Sequence, residues 1–398
     1  MKYPITPDYI QRMPKELQRL YLALEAYILN DIAQRFRDAE GAQQTAIDKI
    51  RMLQRRGYSL KDIEDYIKKF TGWTDAEFDK VMRDAVGRNQ RYFNYVISKA
   101  DVVGDTFDSV ALKAEVDAIS RQTRETLTNI TRSLGFSIRR GSRVAFLPLA
   151  NAYQRVLDDA MIKVMSGGES YGSAIQYAIN ELTESGVRTV TYTRIDASGN
   201  THVRSEHLDV AVRRAVFTGI TQISGKYSDA LMEETETPYV EVTAHRGARD
   251  VERTGVPWAS HKKWQGKVYS KNDGDKYPSV YDVCGLGHVD GLEGANCRHL
   301  HYPWFEGISE RTYTDEELKN IDPPPVKYQG REYNAYQATQ KMRQIERTIR
   351  KVKRQRDGYE EGTDEYNALN ARVRRLFQDY SDFSKLTGNP KQVGRTYT

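Results

Sequence analysis

Residues 245–303 read HRGARDVERTGVPWASHKKWQGKVYSKNDGDKYPSVYDVCGLGHVDGLEGANCRHLHYP and differ in composition from the sequence on either side. The stretch contains both cysteines of the chain, five of its seven histidines and two of its four tryptophans. Its eight glycines argue against one long helix, because glycine is costly inside a helix and permits tight turns. Scarce and reactive residues in one irregular segment make it the first place to search for a functional site.

The composition of the whole chain limits the classes of protein to consider. The 398 residues predict two or three domains, and 39% hydrophobic with 29% charged residues predicts a core with much exposed surface. Two cysteines argue against a disulfide framework and fit a reducing compartment. No stretch approaches the roughly 18 apolar residues of a membrane span, and the N-terminus resembles no signal peptide, so we expect cytoplasmic synthesis and no membrane partner.

Residues 1–185 are predicted to form a mostly helical, elongated region. Apolar residues from Leu17 to Phe36 recur at helical spacing, and the same spacing returns between Val110 and Leu134. Thr74–Glu77 has the sequence of a capping box and predicts the start of a helix. Gly135–Pro148 breaks the helical pattern. Core packing explains these apolar stripes better than a ligand groove does.

The remaining sequence predicts two further domains and an α+β fold class. Residues 186–322 form a loop-rich α+β domain, with short strands indicated by β-branched residues at 189–195 and 239–243 and a turn at 196–200. Residues 323–398 begin with three prolines, which favour an extended linker, and continue as a basic helical hairpin.

The first helix of that hairpin is strongly basic, although the net charge of the chain is only +5. Such a patch suits a phosphate backbone or an acidic protein surface, but it is equally typical of a solvated helix face. It contains no interleaved aromatic residues, so base reading is not expected. The candidate DNA-binding residues are Lys341, Arg343, Arg347, Arg350, Lys351 and Arg354.

Four residues of the central stretch could bind a structural zinc ion. Cys284, His288, Cys297 and His299 supply enough thiolate and imidazole ligands for a tetrahedral site. A zinc ion there would cross-link loops that have few apolar residues of their own. The spacing is not specific, because neither cysteine belongs to a C-x-x-C pair.

Catalysis and a purely structural role are the other interpretations of the stretch. His245, His261 and Asp250 could serve acid–base chemistry, and Asn296–His299 is similar to the end of a histidine-type nuclease motif, but the expected tandem histidine and paired acidic ligands are missing. In the structural interpretation, which we prefer, polar side chains satisfy backbone groups of a compact loop region. Positive backbone angles are then expected at Gly285, Gly287, Gly291 and Gly294.

Four ordered pieces of the stretch carry a family resemblance: HRGAR at 245–249, H-x-x-W-Q-G-K-V-Y at 261–269, CGLG at 284–287 and G-L-x-G-x-N-C-R-H at 291–299. Together they resemble the phage minor capsid protein family, which is related to the phage Mu protein F-like head-morphogenesis proteins. His299 stands where many of those relatives have cysteine. The resemblance marks as motif residues His245, Arg249, His261, Trp264, Gly266, Gly291, Gly294, Asn296 and Arg298.

The resemblance implies a low-copy structural protein in the head of a tailed phage or prophage. Members of this family associate with the portal protein and other head proteins during assembly, and some contact the packaged DNA. The expected location is the virion, after synthesis in the host cytoplasm. The alternative is a metal-dependent nuclease or toxin-like enzyme carried in the head, although two helices after Pro325 are too few for an appended toxin domain.

Overall fold

A computed structural model of the protein describes residues 3–57, 61–99, 109–140, 143–195 and 201–397. Long helices dominate the part before residue 235, as the helical spacing of apolar residues predicts. These helices are α1 (Pro7–Arg12), α2 (Lys15–Glu40), α3 (Ala46–Gly57), α4 (Lys61–Lys99), α5 (Val110–Arg132), α6 (Leu149–Met165), α7 (Tyr171–Ser185) and α8 (Leu208–Glu234).

Short antiparallel strands form three sheets among the described residues. The first has the order β2-β1-β3-β4, from β1 (Leu134–Arg140), β2 (Arg143–Pro148), β3 (Arg188–Ile195) and β4 (Thr201–His207). The second has the order β6-β5-β7, from β5 (Tyr239–Val242), β6 (Val268–Ser270) and β7 (His301–Pro303). The third pairs β8 (Val326–Tyr328) with β9 (Arg331–Tyr333).

The remaining helices are α9 (His261–Trp264), α10 (Val280–Cys284), α11 (Asp315–Lys319), α12 (Ala335–Asp357) and α13 (Asp364–Thr387), with 3₁₀ turns at Pro257–Ala259 and Val393–Thr396. The predicted C-terminal hairpin is confirmed, since α12 and α13 pack together through the apolar side chains of Ile345, Ile349 and Phe383. Helices combined with separate antiparallel sheets confirm the predicted α+β class.

One element of the N-terminal region was not expected from the sequence. The Gly135–Pro148 segment, which interrupts the helical pattern, forms the β1–β2 hairpin. Phe136 and Ile138 are buried on one face of β1, with Ser137 half-buried between them. This alternation is the mark of a strand with one buried face. Because β1 also pairs with β3, the sheet crosses the predicted domain boundary at residue 185.

The capping box predicted at Thr74–Glu77 is wrong. Thr74 lies inside the continuous helix α4, and its hydroxyl donates back to the carbonyl oxygen of Thr71 at 3.0 Å. Phe70 and Phe78, one turn before and after Thr74, are both buried in the helical core. That apolar stripe keeps α4 intact through a sequence that favours a helix start. The turn predicted at 196–200 lies outside the described residues.

Two apolar cores position the 245–303 stretch. The first lies among α2, α4, α5 and α8 and also takes in Leu300 and Tyr302 from the end of the stretch. The second surrounds Trp264 and includes Cys284 and Cys297. In the described ranges, no helix is long and apolar enough to cross a bilayer.

Candidate functional site

The motif residues converge around α9 and the chain that leads into β7. His261 and Trp264 are three residues apart and therefore lie on the same side of α9, with ring centroids 4.5 Å apart. The Trp264 ring also meets His299 edge-on at 4.9 Å, and its indole nitrogen donates to the carbonyl oxygen of Trp258 at 3.1 Å. Trp264 is thus the buried centre of the motif region, as the structural interpretation expects.

His261, Cys297 and His299 form a buried group of metal-ligand type, which we call the triad. The Sγ atom of Cys297 lies 3.6 Å from Nδ1 of His261 and 3.5 Å from Nδ1 of His299. All three ligand atoms lie within 4.8 Å of one another. The backbone N–H of His299 also donates to Cys297 Sγ at 3.4 Å, so the turn of the chain between them brings both residues to the same place.

Hydrogen bonds on the far side of each ring fix the protonation of the triad. His261 Nε2 donates to the carbonyl oxygen of Asp290 at 3.1 Å. His299 Nε2 faces Oε1 of Gln265 at 3.0 Å, and the same oxygen accepts the backbone N–H of His245 at 3.0 Å. That atom is therefore an acceptor, so His299 carries its proton on Nε2. Both Nδ1 lone pairs then point at the thiol, which has one hydrogen to donate.

Burial keeps all three triad groups uncharged at neutral pH. Burial, followed by the nearby Arg249, lowers the pKa of His261 to about 4. Burial, followed by His245, places the pKa of His299 well below its ordinary value. Burial raises the pKa of the Cys297 thiol to about 11. The triad could hold a metal ion through two imidazoles and a thiolate, because ion binding would deprotonate the thiol.

Two of the four ligands expected from the sequence lie outside this triad. His288 stacks on Trp258 with ring centroids 4.3 Å apart. Cys284 ends α10 inside the second apolar core, where burial raises the pKa of its thiol. Among the described residues, the histidine that joins Cys297 and His299 is His261 and not the predicted His288. The sequence could not show this, because α9 and the 297–299 segment meet only in the folded chain.

Asp290 joins several motif residues, a role that was not expected from the sequence. Its backbone carbonyl accepts from Arg249 Nη1 at 2.9 Å as well as from His261. Its carboxylate accepts from Trp258 Nε1 at 3.0 Å and from Arg253 Nη1 at 2.8 Å. The sequence feature that could have drawn attention to Asp290 is the Asp290–Gly291 pair, a dipeptide that is frequent in turns. Asp290 therefore positions both α9 and the motif arginine Arg249.

The motif glycines allow close backbone approach. A Cβ atom on Gly291 would lie 2.0 Å from the carbonyl oxygen of Gly285, and one on Gly294 would lie 2.5 Å from that of Val289. The prediction of positive φ is wrong at Gly291 and Gly294, whereas Gly285 (φ +65°) and Gly287 (φ +90°) have it as predicted.

Positive φ occurs at two further motif positions, Gly266 and Asn296. Gly266 combines a φ of +70° with a Cβ position 2.4 Å from the end of the Leu318 side chain. Asn296 is exposed and itself has a φ of +60°, as does Glu293. Asparagine is among the side chains that tolerate this conformation best.

The residues considered for acid–base catalysis are engaged in separate contacts. His245 stacks on His299 at 4.4 Å between ring centroids, and its Nδ1 lies 2.9 Å both from Arg298 Nη2 and from the carbonyl oxygen of Arg246. Burial, followed by the Arg298 charge, holds the pKa of His245 well below its ordinary value. Arg298 also donates to the side chain of Gln11 on α1. Asp250 accepts from Ser260 Oγ at 3.3 Å.

His301 forms a charged bridge next to the triad. Its Nδ1 lies 2.8 Å from Oε1 of Glu293, and its Nε2 lies 3.0 Å from Oδ1 of Asp229 on α8. Burial disfavours the charged imidazole, but the two carboxylates outweigh this effect and raise the pKa of His301 to about 9. The bridge fixes the end of the motif segment to the helical body.

Two of the candidate DNA-binding arginines are buried, which corrects the expectation for α12. Arg350 pairs with Asp209 of α8 at 2.8 Å, and both side chains are less than 10% exposed. Arg354 pairs with Glu25 of α2 at 3.4 Å, and both side chains are 5% exposed. Acidic partners from distant parts of the chain neutralise these two charges inside the protein. Neither arginine is available to a phosphate backbone.

The other four candidates on α12 differ in accessibility. Arg347 is exposed, and Lys341 is partly exposed. Lys351 is 42% exposed but pairs with Glu184 of α7 at 2.5 Å. Arg343 faces a cleft between α12 and the N-terminal helices. The exposed positive charge of α12 is therefore smaller than its sequence indicates.

Known proteins match this chain over most of its length. The model of the family described as Phage minor capsid protein 2 matches residues 5–383. A protein named structural protein, from Lactococcus phage LL-H, is 26% identical over 322 residues, which is 78% of this chain and 77% of that protein. No solved structure matches. The chain therefore belongs to the Phage minor capsid protein 2 family and is a structural protein of a phage particle.

Proposed function

We propose that this protein is a low-copy component of the phage head that contacts the portal protein during head assembly. The observation that carries this proposal is the family match over residues 5–383, which includes the helical body, the motif region and the C-terminal hairpin. A match of that extent favours one building unit over an enzyme domain attached to a carrier.

The contacts of the motif residues support a structural use. His245, His261 and His299 each bond to another group of the protein within the motif region. Arg249 donates to two carbonyl oxygens, those of Asp290 and Ala295. Side chains that satisfy buried backbone groups hold loops in place.

Chemical cross-linking of assembled particles tests the proposed location. We expect cross-links between lysines of this chain and the portal protein, and defective heads when the gene is deleted. Cross-links to tail proteins alone, or normal packaging and infectivity after deletion, would contradict the proposal. DNA cleavage by the purified protein that is lost in His261→Ala would instead favour the metal-dependent nuclease.

We further propose that the accessible part of α12 contacts DNA through Lys341 and Arg347. Phosphate contacts by lysine and arginine release counterions, so the affinity should fall with salt. Binding of a labelled duplex at several salt concentrations, by wild type and by a variant with both residues changed to glutamine, measures this. Affinity that does not change with salt, or that is equal in both proteins, contradicts DNA contact by α12.

A structural zinc ion in the triad is a separate proposal. Tetrahedral zinc with Zn–S of about 2.3 Å and Zn–N of about 2.0 Å separates sulfur from nitrogen by about 3.5 Å. The Cys297 Sγ to Nδ1 distances of 3.6 and 3.5 Å fit this value. The carbonyl of Asp290 and the amide of Gln265, which accept from the outer ring nitrogens, are the kind of partners that orient histidine ligands.

Metal analysis of purified protein distinguishes the possible ligand sets. We expect about one zinc ion per chain, lost in Cys297→Ala and His261→Ala but retained in His288→Ala. Removal of zinc with a chelator should lower the Tm of wild type and leave that of Cys297→Ala unchanged. Protein without zinc, or zinc content unaffected by Cys297→Ala, would refute the site.

A further inference from the structure

A cleft of about 790 Å³ opens where three distant parts of the chain meet. Its walls are the start of the chain from Asp8 to Leu22, the motif residues His245, Arg246 and Arg298, and the middle of α12 with the 388–395 segment. A volume of this size lies within the range of roughly 300–1,000 Å³ that is usual for ligand pockets.

The wall of the cleft carries a large excess of positive charge. Eight described lining residues are lysine or arginine, and three are acidic. Two of the acidic residues already pair with arginines of the wall, Glu16 with Arg19 at 2.6 Å and Glu346 with Arg395 at 3.5 Å. Most of the positive charge in the cleft is therefore not neutralised by the wall itself.

The inner arginines are only partly paired. Arg298 donates to Gln11, and its Nη2 lies 2.9 Å from Nδ1 of His245. Arg395 is 15% exposed and lies 3.5 Å from Glu346, but its buried Nη2 has no hydrogen-bond partner among the described residues. Behind the wall, the buried Nε of Arg213 on α8 also has no hydrogen-bond partner in the described part of the chain. Buried donors without an acceptor are costly.

These arginines also repel one another. Burial, followed by the charge of Arg395, lowers the pKa of Arg343 to about 10. Burial and the charges of Arg343 and Arg395 lower the pKa of Arg213 well below its ordinary value. An anion between Arg298, Arg343 and Arg395 would relieve this repulsion and supply the acceptor that Arg395 Nη2 lacks.

The lining favours a protein segment over a nucleic acid. Leu22, Met342 and Val393 provide apolar contacts, and no Phe, Tyr or Trp is among the described lining residues, so stacked bases find no platform. The volume is that of a pocket and not of a duplex groove. Arginine predominates over lysine, as suits planar, bidentate pairing with carboxylates.

We propose that this cleft binds a short acidic segment of a partner protein, whose carboxylates pair with Arg298, Arg343 and Arg395. Such a segment could belong to any neighbouring protein of the particle, so the chemistry of the cleft is separate from contact with the portal.

Fluorescence anisotropy with the full-length protein tests this. The probe is a labelled eight-residue peptide with glutamate at alternate positions, and the control probe has glutamine at those positions. We expect the glutamate peptide alone to bind, and Arg343→Gln and Arg395→Gln each to raise its Kd by about tenfold or more. Arg347→Gln, on the exposed face of the same helix, should leave the Kd unchanged.

A second measurement separates loss of binding from loss of folding. Because Arg343→Gln removes a repelled charge, its Tm without peptide should equal or exceed that of wild type. Equal binding of both peptides, or an equal effect of Arg347→Gln, would overturn the proposal. So would a short labelled DNA duplex that binds through Arg343 and Arg395 while the glutamate peptide does not.

Discussion

Helix α12 and the 245–303 segment are both rich in polar side chains, but they bury those side chains differently. In α12, Arg350 and Arg354 are neutralised by carboxylates on α8 and α2. In the loop segment, Arg249 and His261 bond to backbone carbonyls within the same segment. A regular helix satisfies its own backbone, so its buried charges need partners from elsewhere, whereas loops leave carbonyls that nearby side chains can satisfy.

This difference has a consequence for stability. A buried ion pair leaves an uncompensated charge when one partner is removed, which is among the most costly changes in a protein. A neutral hydrogen bond to a carbonyl contributes about 0.5–1.5 kcal/mol. We therefore expect changes at the ion pairs of α12 to cost more than changes at single contacts in the loop segment.

The largest effect is expected at Arg350. Arg350→Ala leaves the carboxylate of Asp209 buried without its cation, and the free energy of unfolding should fall by about 3–5 kcal/mol. Urea unfolding followed by circular dichroism measures this loss. Arg347→Ala, on the exposed face of the same helix, should change it by no more than about 0.5 kcal/mol. Equal effects of the two substitutions would mean that the ion pair contributes little.

The loop segment also contains a buried charge of its own, at His301. Its pKa of about 9 is above its ordinary value, so protonation stabilises the fold fully below about pH 6.5, and this contribution disappears as the pH rises through 9. His301→Gln should destabilise the protein by about 1.5–3 kcal/mol at pH 6 and by less at pH 9.5.

Urea unfolding of wild type and His301→Gln at pH 6, 7.5 and 9.5 measures their free energies of unfolding. The difference between the two proteins should become smaller as the pH rises. Asp229, whose pKa is held below its ordinary value, loses its contribution only in acid, outside this range. A difference that is constant with pH would show that His301 is neutral in the folded protein.

Gly291 tests whether close backbone approach holds the loop segment together. Gly291→Ala would place a methyl group 2.0 Å from the carbonyl oxygen of Gly285, and the backbone must move to accept it. We expect a loss of about 1–3 kcal/mol, typical of overpacking. Gly72→Ala, within α4 and with no atom near the new methyl group, should instead stabilise the protein by about 0.5–1 kcal/mol. Thermal unfolding of the two variants gives the comparison.

The smallest effect is expected at the N-terminus of α12. The side chain of Asn334 accepts from the backbone N–H of Gln337 at 2.8 Å, and Gln337 accepts in return from the backbone of Asn334 at 3.1 Å. Asn334→Ala should cost about 1 kcal/mol, as the loss of a helix cap usually does. A loss in Tm as large as that of Arg350→Ala would mean that local capping, and not the remote ion pairs, holds α12 in place.

Much of the fold was predictable because its signals are local. The apolar spacing in α2 and α5, the β-branched run of β3 and the hairpin of α12 and α13 all follow from periodicity and turn residues. The errors arose where tertiary packing overrode a local signal. Thr74 looks like a cap but lies inside α4, and the break at Gly135–Pro148 became a pair of strands that joins β3.

The sequence by itself determined that residues 245–303 are the irregular, chemically distinctive part of a helical phage structural protein. Glycine frequency and scarce residue types are properties of composition and need no partner. Tertiary structure alone decided that His261 joins Cys297 and His299 and that Arg350 lies inside the protein. It alone also gathered Arg298, Arg343 and Arg395 around one cleft. Contacts between residues distant in the chain depend on how elements pack, and no local pattern encodes that packing.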